Sequence, residues 1–556
     1  MDSMGHNKLL LLGNEANLQT CPLCKQNIEG GLRRHYKGRH SEEELQEAIL
    51  REKGRGTPDV DIGRTFGVTF RYIERLITKK TGISVSALKV TKRIKTFYPQ
   101  NFAEEQTTVW SFKSRGNWAT HSGEYRGNWS PYIPRNVILK YSKPGELVLD
   151  YFCGAGTTAV EAKLLGRRCI AFDINDKVVE LAKKKVDFNV QAQELLTSID
   201  HKTPPQIYEP KLSVGDARSL SSIKDNSVDL ICAHPPYANI IHYTDSKEGD
   251  LSFFDTDDFL KEMAKVAKES FRVLKSGRQC AILIGDMRRK KHVIPLGFKF
   301  INVYLDAGFK LRELIIKRQH NCKTTGFWHA SSIRHNFLLL AHEYLPIFEK
   351  PKRTVSAGVE EEVSGYGLIA PTLERPRVKR KLDDLETTTV WVLPEKDFEE
   401  RLNKNVIDRY SHGKEYTNIA FHSNNNGEVL TGRKGQRIKE LLFIKSPFLA
   451  SNPSHSDIEE YLREVREVIV QNLPYIQEGG FVVIQTQDAR INGYVEPLAK
   501  RSVDLIAEGN LWLKEIVVVT QEKQNQKIQT SNGHLTVVHQ YLLVYEKTGG
   551  NCNERT

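Results

Sequence analysis

His234, Pro235, Pro236 and Tyr237 sit at the end of the stretch DLICAHPPYANI, Asp229–Ile240. The apolar run before them reads as a buried strand, and the paired prolines lock the turn that leaves it. A neutral imidazole there accepts one hydrogen bond through its bare nitrogen and loses that capacity once protonated. An aromatic ring at the same corner offers a flat stacking face. A second chemical cluster lies near the N-terminus: Cys21-x2-Cys24-x10-His35-x4-His40, two thiols and two imidazoles at zinc-ligand spacing. The segment LRRHYKGRH puts both histidines on one helix face with Leu32 beneath, and Ile28 stands where an aromatic is common in such fingers. The spacing predicts a structural Zn2+, as against a free thiol pair and two surface histidines. Arg33, Arg34, Lys37 and Arg39 surround these ligands and suit phosphate contact; a protein-binding or structural knob is the other use of such a finger.

The third cluster is GELVLDYFCGAGTTAVEAKLLGRRCIAFDIN, Gly145–Asn175. A strand ends at Asp150, a turn carrying Gly154 and Gly156 opens a helix, and a second strand ends at Asp173. Glycines let backbone approach a ligand closely, and an acidic residue at the end of the second strand suits ribose hydroxyls. The turn reads F-x-G-x-G-T and not the dinucleotide pattern G-x-G-x-x-G. SVGDAR, with Asp216, follows one segment later.

The elements that must position these groups follow from pattern and composition. The chain has 556 residues, enough for three to four domains, with 39% hydrophobic and 27% charged residues. No apolar run approaches the ~20 residues of a membrane span, and Leu9–Leu12 is too short for a signal-peptide core. Eight thinly spread cysteines argue for reduced thiols rather than a disulfide framework. A cytoplasmic, nucleoid-associated protein is therefore expected, with no membrane contact. The net charge is +12, of which residues 1–100 supply +7 (18 Lys and Arg against 11 Asp and Glu), favouring a polyanionic partner.

Five regions are expected: a C2H2-like zinc finger over 1–50, a helix-turn-helix over 51–100, an α/β catalytic domain over 107–350, an exposed linker over 351–386 and a last folded unit over 387–547. In the second region Ile62 and Phe66 pack inward, Gly67 permits the tight turn, Val68 caps the corner, and Ile73, Leu76 and Ile77 face the core. Thr69, Phe70, Arg71, Glu74 and Arg75 would then face a DNA groove; a generic helical hairpin is the bland alternative. The fifth region resembles part of the third. SGRQCAILIGDMR (Ser276–Arg288) parallels EGGFVVIQTQDAR (Glu478–Arg490), RELIIKRQ parallels KEIVVVTQ, and HNFLLLAHEYLPIFEK parallels HLTVVHQYLLVYEK. LLFIKSPFLAS lies where LICAHPPYANI would, without an F-x-G-x-G stretch upstream. This predicts a degenerate half-repeat, without catalysis of its own, serving structure, dimerisation or target recognition.

Taken together, DYFCGAGTT, AFDIN, VGDAR, HPPY and the upstream RGNWSPYIPRNVILKYSKPGELVLD resemble the amino-directed DNA methyltransferases, over about 245 of the 556 residues. That resemblance implies the S-adenosylmethionine-dependent, Rossmann-like α/β methyltransferase fold and transfer of a methyl group to N4 of cytosine or N6 of adenine. It implies that S-adenosyl-L-methionine binds through Asn128, Trp129, Ser130, Asp150, Phe152, Gly154, Gly156 and Thr157, with Asp173 on the ribose and Asp216 on the adenine amine. In the family the motif is D/N/S-P-P-Y/F. Its first side chain and the first proline's carbonyl take the two amine hydrogens, and the aromatic stacks on a base flipped out of the duplex. Here those positions are His234, Pro235 and Tyr237, with Pro236 fixing the turn.

His234 departs from the pattern. It removes the usual clue to the target base and predicts a pH dependence that Asp would not give: transfer should weaken as pH falls through the folded-state pKa of the ring, and a rate flat from pH 8 to 5 would count against it. RRKKHV, with Arg288 and Arg289, and KRQHNCKTTGFWHASS, Lys317–Ser332, are expected phosphate or DNA contacts beside the cleft. Trp118 and Trp129 fit either core or lid. The expected partner is double-stranded DNA, with a homodimer and a restriction enzyme as further candidate partners. RNA base methylation, and an inactive DNA-binding regulator that keeps the fold, are the two other readings.

Overall fold

The computed structural model describes residues 19–76, 94–190, 206–236, 250–320, 332–352, 385–422, 438–445 and 453–549, less a few single positions, together with 367–368 and 372–374. They fall into two compact units, Met1–Ala87 with Ile240–Phe253, and Leu88–Asn239 with Phe254–Thr556.

In the first unit two short strands, β1 (Gln19–Thr20) and β2 (Asn27–Ile28), pair antiparallel. They precede helices α1 (Leu32–Arg39), α2 (Glu42–Gly54) and α3 (Asp59–Phe66). Ser41 and Glu44 cap α2 reciprocally, each side chain bonding the other's backbone. Gly67 turns the chain at φ +62°, and a Cβ there would press on Leu32 at 3.2 Å. That contact corrects the expected division into a finger and a separate helical module. Cys21, Ile28, Leu32, Tyr36, Leu45, Ile49, Ile62, Phe66, Ile73 and Leu76 form one shared core. Segments this short lack the area for two cores, so they fold around one.

The second unit holds two large sheets. Its first half contributes β3 (Val109–Ser111), α4 (Tyr132–Tyr141), β4 (Leu147–Asp150), α5 (Thr157–Leu164), β5 (Arg168–Asp173), α6 (Asp176–Val186), β6 (Lys211–Val214), β7 (Val228–Ala233), α7 (Thr256–Val273), β8 (Leu274–Ile282), β9 (Met287–Arg289), β10 (His292–Ile294), α8 (Leu296–Asp306), β11 (Lys310–Arg318) and β12 (His342–Glu349). The sheet order is β3-β11-β12-β8-β7-β4-β5-β6. Only β12 runs antiparallel to its neighbours. β7 is buried along its full length, as a central parallel strand covered on both faces must be.

After it come β13 (Gly367–Leu368), β14 (Thr372–Glu374), β15 (Val390–Leu393), α9 (Phe398–Tyr410), β16 (Tyr416–His422), β17 (Lys439–Lys445), α10 (His455–Asn472), β18 (Ile476–Thr486), β19 (Ala489–Ile491), β20 (Tyr494–Glu496), α11 (Leu498–Leu505), β21 (Leu511–Gln521) and β22 (His539–Lys547). Read from its β15 edge, this sheet runs β15-β21-β22-β18-β17-β16, the same path as β3-β11-β12-β8-β7-β4. Where the first sheet continues into β5 and β6, the second carries β13 and β14 on β16. The region expected to be an exposed linker contributes strands at that point: residues 367–368 and 372–374 pair with β16 and cover an edge that would otherwise offer unpaired backbone.

Candidate active site

β4 lies between β5 and β7, and its chain connection goes one way while that of β7 goes the other, which makes the crevice at their carboxyl ends a topological switch point. The sheet registers bring together there Asp150 at the end of β4, Asp173 at the end of β5, Asp216 just past β6 and His234 just past β7. Residues spread over 85 positions of sequence thus share one sheet edge because four parallel strands end side by side.

The turn after β4 is tight. Gly154 and Gly156 take φ +48° and +80°, and a Cβ on Gly156 would sit 3.0 Å from the Ala182 Cβ of α6. Gly154 N–H donates to the Asp173 carboxylate at 2.9 Å and Cys153 N–H to the Phe172 carbonyl at 2.8 Å, so the turn is laced to the end of β5. Asp173 also accepts from Asn175 N–H at 2.9 Å, which fixes its carboxylate at the head of α6. Asp150 is buried, accepts from Phe152 N–H at 3.0 Å, and burial pushes its pKa up to about 7. A backbone cradle that admits no side chain, with carboxylates behind it, fits the ribose and methionine portions of the expected cofactor. Asp216 is already engaged: Arg218 grips both its oxygens at 2.6–3.1 Å and also reaches Glu262. Burial would raise the Asp216 carboxyl, but the Arg218 hydrogen bonds outweigh it and hold the pKa low. Any contact of Asp216 with an adenine amine must therefore be shared with Arg218.

The segment before α4 closes over this turn. Thr157 donates to the Asn128 side chain, Arg115 donates to the Trp129 carbonyl at 2.8 Å, and Ser130 donates to the Arg115 carbonyl at 2.8 Å. Sequence reasoning missed the anchor of this segment, Glu161 on α5. Its fully buried carboxylate receives Trp118 Nε1 and His121 Nε2, each at 2.7 Å, and Arg135 at 3.0 Å. Burial alone would raise the Glu161 pKa; Arg135 and the two ring partners hold it below its usual range. The available signal was one carboxylate inside the apolar run TTAVEAKL. Trp118 is thus core with a polar tether, and Trp129 is a contact of the His234 corner.

At that corner the Trp129 and His234 rings stack, with centroids 5.5 Å apart and planes 18° apart. The His234 ring also donates to the Gly127 backbone carbonyl. Enclosure lowers the His234 pKa to about 4; Glu343 pulls it upward, while Lys317 and Arg115 push it down. The ring is therefore neutral across the physiological range. Pro235 is buried behind it, Pro236 is half-buried, and Tyr237 lies outside the described residues.

Arg288 is a correction. It lies in the interface between the two sheets, donating to Glu515 at 2.5 Å, to the Leu338 carbonyl at 2.9 Å and to the Lys514 carbonyl at 3.0 Å. A half-buried guanidinium already held by a buried carboxylate and two carbonyls has its donors engaged within the protein, whereas Arg289 is exposed. Thr69 is exposed, while Arg71 and Arg75 lie outside the described residues, as do residues 321–331 of the basic–aromatic loop.

In the first unit the ligand atoms of Cys21, Cys24, His35 and His40 all lie within 4.8 Å of one another, the one such group among the described residues. Cys21 Sγ is 3.5 Å from His40 Nε2, and Cys24 Sγ is 3.3 Å from His35 Nε2. A tetrahedral zinc with bonds of roughly 2.0–2.3 Å needs ligand separations of roughly 3.3–3.8 Å, so the donor set fits. Glu44 Oε2 lies 3.3 Å from His40 Nδ1, which turns Nε2 toward the thiols.

Comparison with known proteins agrees with this geometry. A family profile described as DNA methylase, for N6 and N4 transfer, matches residues 69–184 and 228–432, and a methyltransferase-domain profile matches 149–282. The Type II methyltransferase M2.DpnII of Streptococcus pneumoniae is 29% identical over 119 residues, 20% of this chain and 44% of its own. A tRNA (guanine(10)-N2)-dimethyltransferase of Methanothermobacter thermautotrophicus is 31% identical over 115 residues, 20% of this chain and 29% of its own. The chain spans less than half the length of either relative. A solved SAM-dependent methyltransferase from Methanosarcina mazei covers 39% of this chain and 97% of its own at 17% identity, with a TM-score of 0.27. The strand order and the glycine turn carry the α/β methyltransferase fold, the DNA methylase profile spans more than half of the sequence, and the chain belongs to the N6/N4 DNA methylase family.

Proposed function

We propose that this protein transfers a methyl group from S-adenosylmethionine to the exocyclic amine of a base in double-stranded DNA, N4 of cytosine or N6 of adenine, after the base is flipped out. The observation that carries the reading is the His234-Pro235-Pro236 corner at the end of β7, beside the Gly154–Gly156 turn at the end of β4. Asp173 would hold the ribose, the Gly154–Gly156 backbone and Phe152 the methionine side, Asn128–Ser130 the closing segment, and Thr157 would keep Asn128 in place. Bound S-adenosylmethionine supplies a methyl group activated for attack by its sulfonium. The target amine is a poor nucleophile because its lone pair is delocalised into the ring. His234, neutral, and the Pro235 carbonyl accept its hydrogens and localise that pair, so catalysis is chiefly positioning with electrostatic assistance. Tyr237 would stack on the flipped base.

The first unit would bring the duplex. Zn2+ on Cys21, Cys24, His35 and His40 would stiffen its core. Thr69, Arg71, Arg75 and exposed Arg289 are proposed DNA contacts. A restriction-modification setting, with a nuclease as companion, belongs to the same proposal. RNA methylation is the second reading, favoured by the tRNA methyltransferase among the relatives. The test is digestion of duplex DNA to nucleosides, with mass spectrometry, after incubation with labelled S-adenosylmethionine and with His234→Ala in parallel. Labelled N4-methylcytosine or N6-methyladenine, lost in the variant, supports the proposal. Label entering RNA alone would overturn it in favour of the second reading.

A further inference from the structure

The contacts between the two halves of the second unit come in reciprocal pairs. Arg288 of the first half meets Glu515 of the second at 2.5 Å, and Arg490 of the second meets Glu313 of the first at 2.5 Å. Each carboxylate also takes a backbone N–H from the opposite half, Leu338 on Glu515 at 2.9 Å and Leu535 on Glu313 at 3.3 Å. His342 meets Thr389 at 2.9 Å, and His539 meets Thr108 at 2.8 Å. His292 meets Glu546 at 3.1 Å, and Tyr494 meets Glu349 at 2.8 Å. The His292 ring packs edge-on to Trp512, and Lys310 lies over the Tyr494 ring.

In every pair the partners exchange roles under one correspondence: 108 with 389, 288 with 490, 292 with 494, 310 with 512, 313 with 515, 338 with 535, 342 with 539, 349 with 546. When residue i contacts j and the counterpart of j contacts the counterpart of i, the interface is isologous, the signature of a two-fold dimer. Among the described residues, the second half has no counterpart of the α5-β5-α6-β6 segment on which the first half carries its glycine turn and Asp173. It keeps the paired contacts described above, though, and through His539 and Val538 it holds Thr108, at the start of the segment that runs to Arg115 and the closing residues.

We propose that the chain is a covalently joined two-fold dimer, in which the second half occupies the dimer face of the first and anchors its closing segment, leaving one cofactor site per chain. The site's part in this statement rests on the methyl-transfer reading; the dimer face does not. The test is a specific protease site inserted between residues 353 and 366 of the full chain. After cutting, the two pieces should elute together with the mass of one chain and bind S-adenosylmethionine with a Kd within threefold of the uncut protein. Arg288→Ala with Arg490→Ala, folded by circular dichroism before cutting, should separate into two pieces after it, the first with at least tenfold weaker binding. Separation of the cut wild-type pieces would overturn the proposal, as would uncut protein that elutes as a dimer dissociated by those substitutions. Cut pieces that stay together but never bind S-adenosylmethionine would uphold the dimer face and sink the methyl-transfer reading instead.

Discussion

His234 carries the sharpest expectation about a single residue. The folded protein holds its ring near pKa 4, whereas an unfolded chain returns it to ~6.5. Between those values the unfolded state binds a proton that the folded state refuses, so the ring's contribution to stability is lost as pH falls from about 6.5 to about 4. Above that window it stays neutral and competent to accept. The ring itself should therefore leave initial transfer rates level from pH 8 to 5 and lower them toward 4, so an inflection near pH 7 would belong to Asp150, whose burial raises its carboxyl to about 7. A level profile over that span is consequently no argument against His234, contrary to what the sequence implied. His234→Ala should lose about a hundredfold in rate, the scale of one lost positioning contact, with S-adenosylmethionine affinity little changed. His234→Asn should keep part of the rate and extend the level profile to lower pH. A rate midpoint near pH 6.5 in the wild type that His234→Asn abolishes would place the ring in water. The corner was legible because strand, prolines and aromatic are contiguous. The shift was not, because Trp129 and Arg115, Lys317, and Glu343 arrive from three segments far from His234 in sequence.

Elements were legible where a local pattern decides them, and the glycine turn is the clearest case. Gly156 combines φ +80° with a 3.0 Å approach to Ala182. Gly156→Ala should cost about 1–2 kcal/mol of backbone strain and more for the displaced α6, with S-adenosylmethionine binding weakened at least tenfold by calorimetry. An unchanged affinity and melting temperature would show that the turn tolerates a side chain. Glu161 makes a parallel case on the helix that this turn opens. Glu161→Gln leaves Arg135 buried without its counter-charge, and removal of one partner from such a site costs about 3–5 kcal/mol. A melting temperature lowered by several degrees, together with weaker cofactor binding, is expected; lowered stability with normal binding would make Glu161 a packing residue only. Neither its partners nor those of Arg288 could be read from the sequence. Trp118, His121 and Arg135 lie 26 to 43 positions before Glu161, and Glu515 lies 227 after Arg288. A basic run looks the same whether its counter-charge is a phosphate or a carboxylate far along the chain.

At the scale of the whole molecule, internal similarity was readable as a half-repeat because strand spacing and Asp-x-Arg recur. The strands added to β16 from the expected linker were not, since so few residues carry no pattern and owe their form to the edge they cover. The same limit hid the union of finger and helices, whose short segments share the core from Cys21 to Leu76. That union sets a testable division of labour. If zinc holds Cys21, Cys24, His35 and His40, its loss removes support from Leu32 and Tyr36 and thus from Ile62, Phe66 and Ile73 as well, because metal binding in so small a core is part of its folding free energy. Chelation should therefore release one zinc per chain, reduce helical signal by circular dichroism and weaken duplex binding at least tenfold. The second unit has its own core, built from residues such as Val148, Leu230 and Ile315, and should retain S-adenosylmethionine affinity and its melting transition. Cys24→Ala should reproduce the chelated state without chelator. Loss of cofactor binding on chelation would place the metal in support of the catalytic sheet, and unchanged duplex binding would assign DNA contact to the second unit alone.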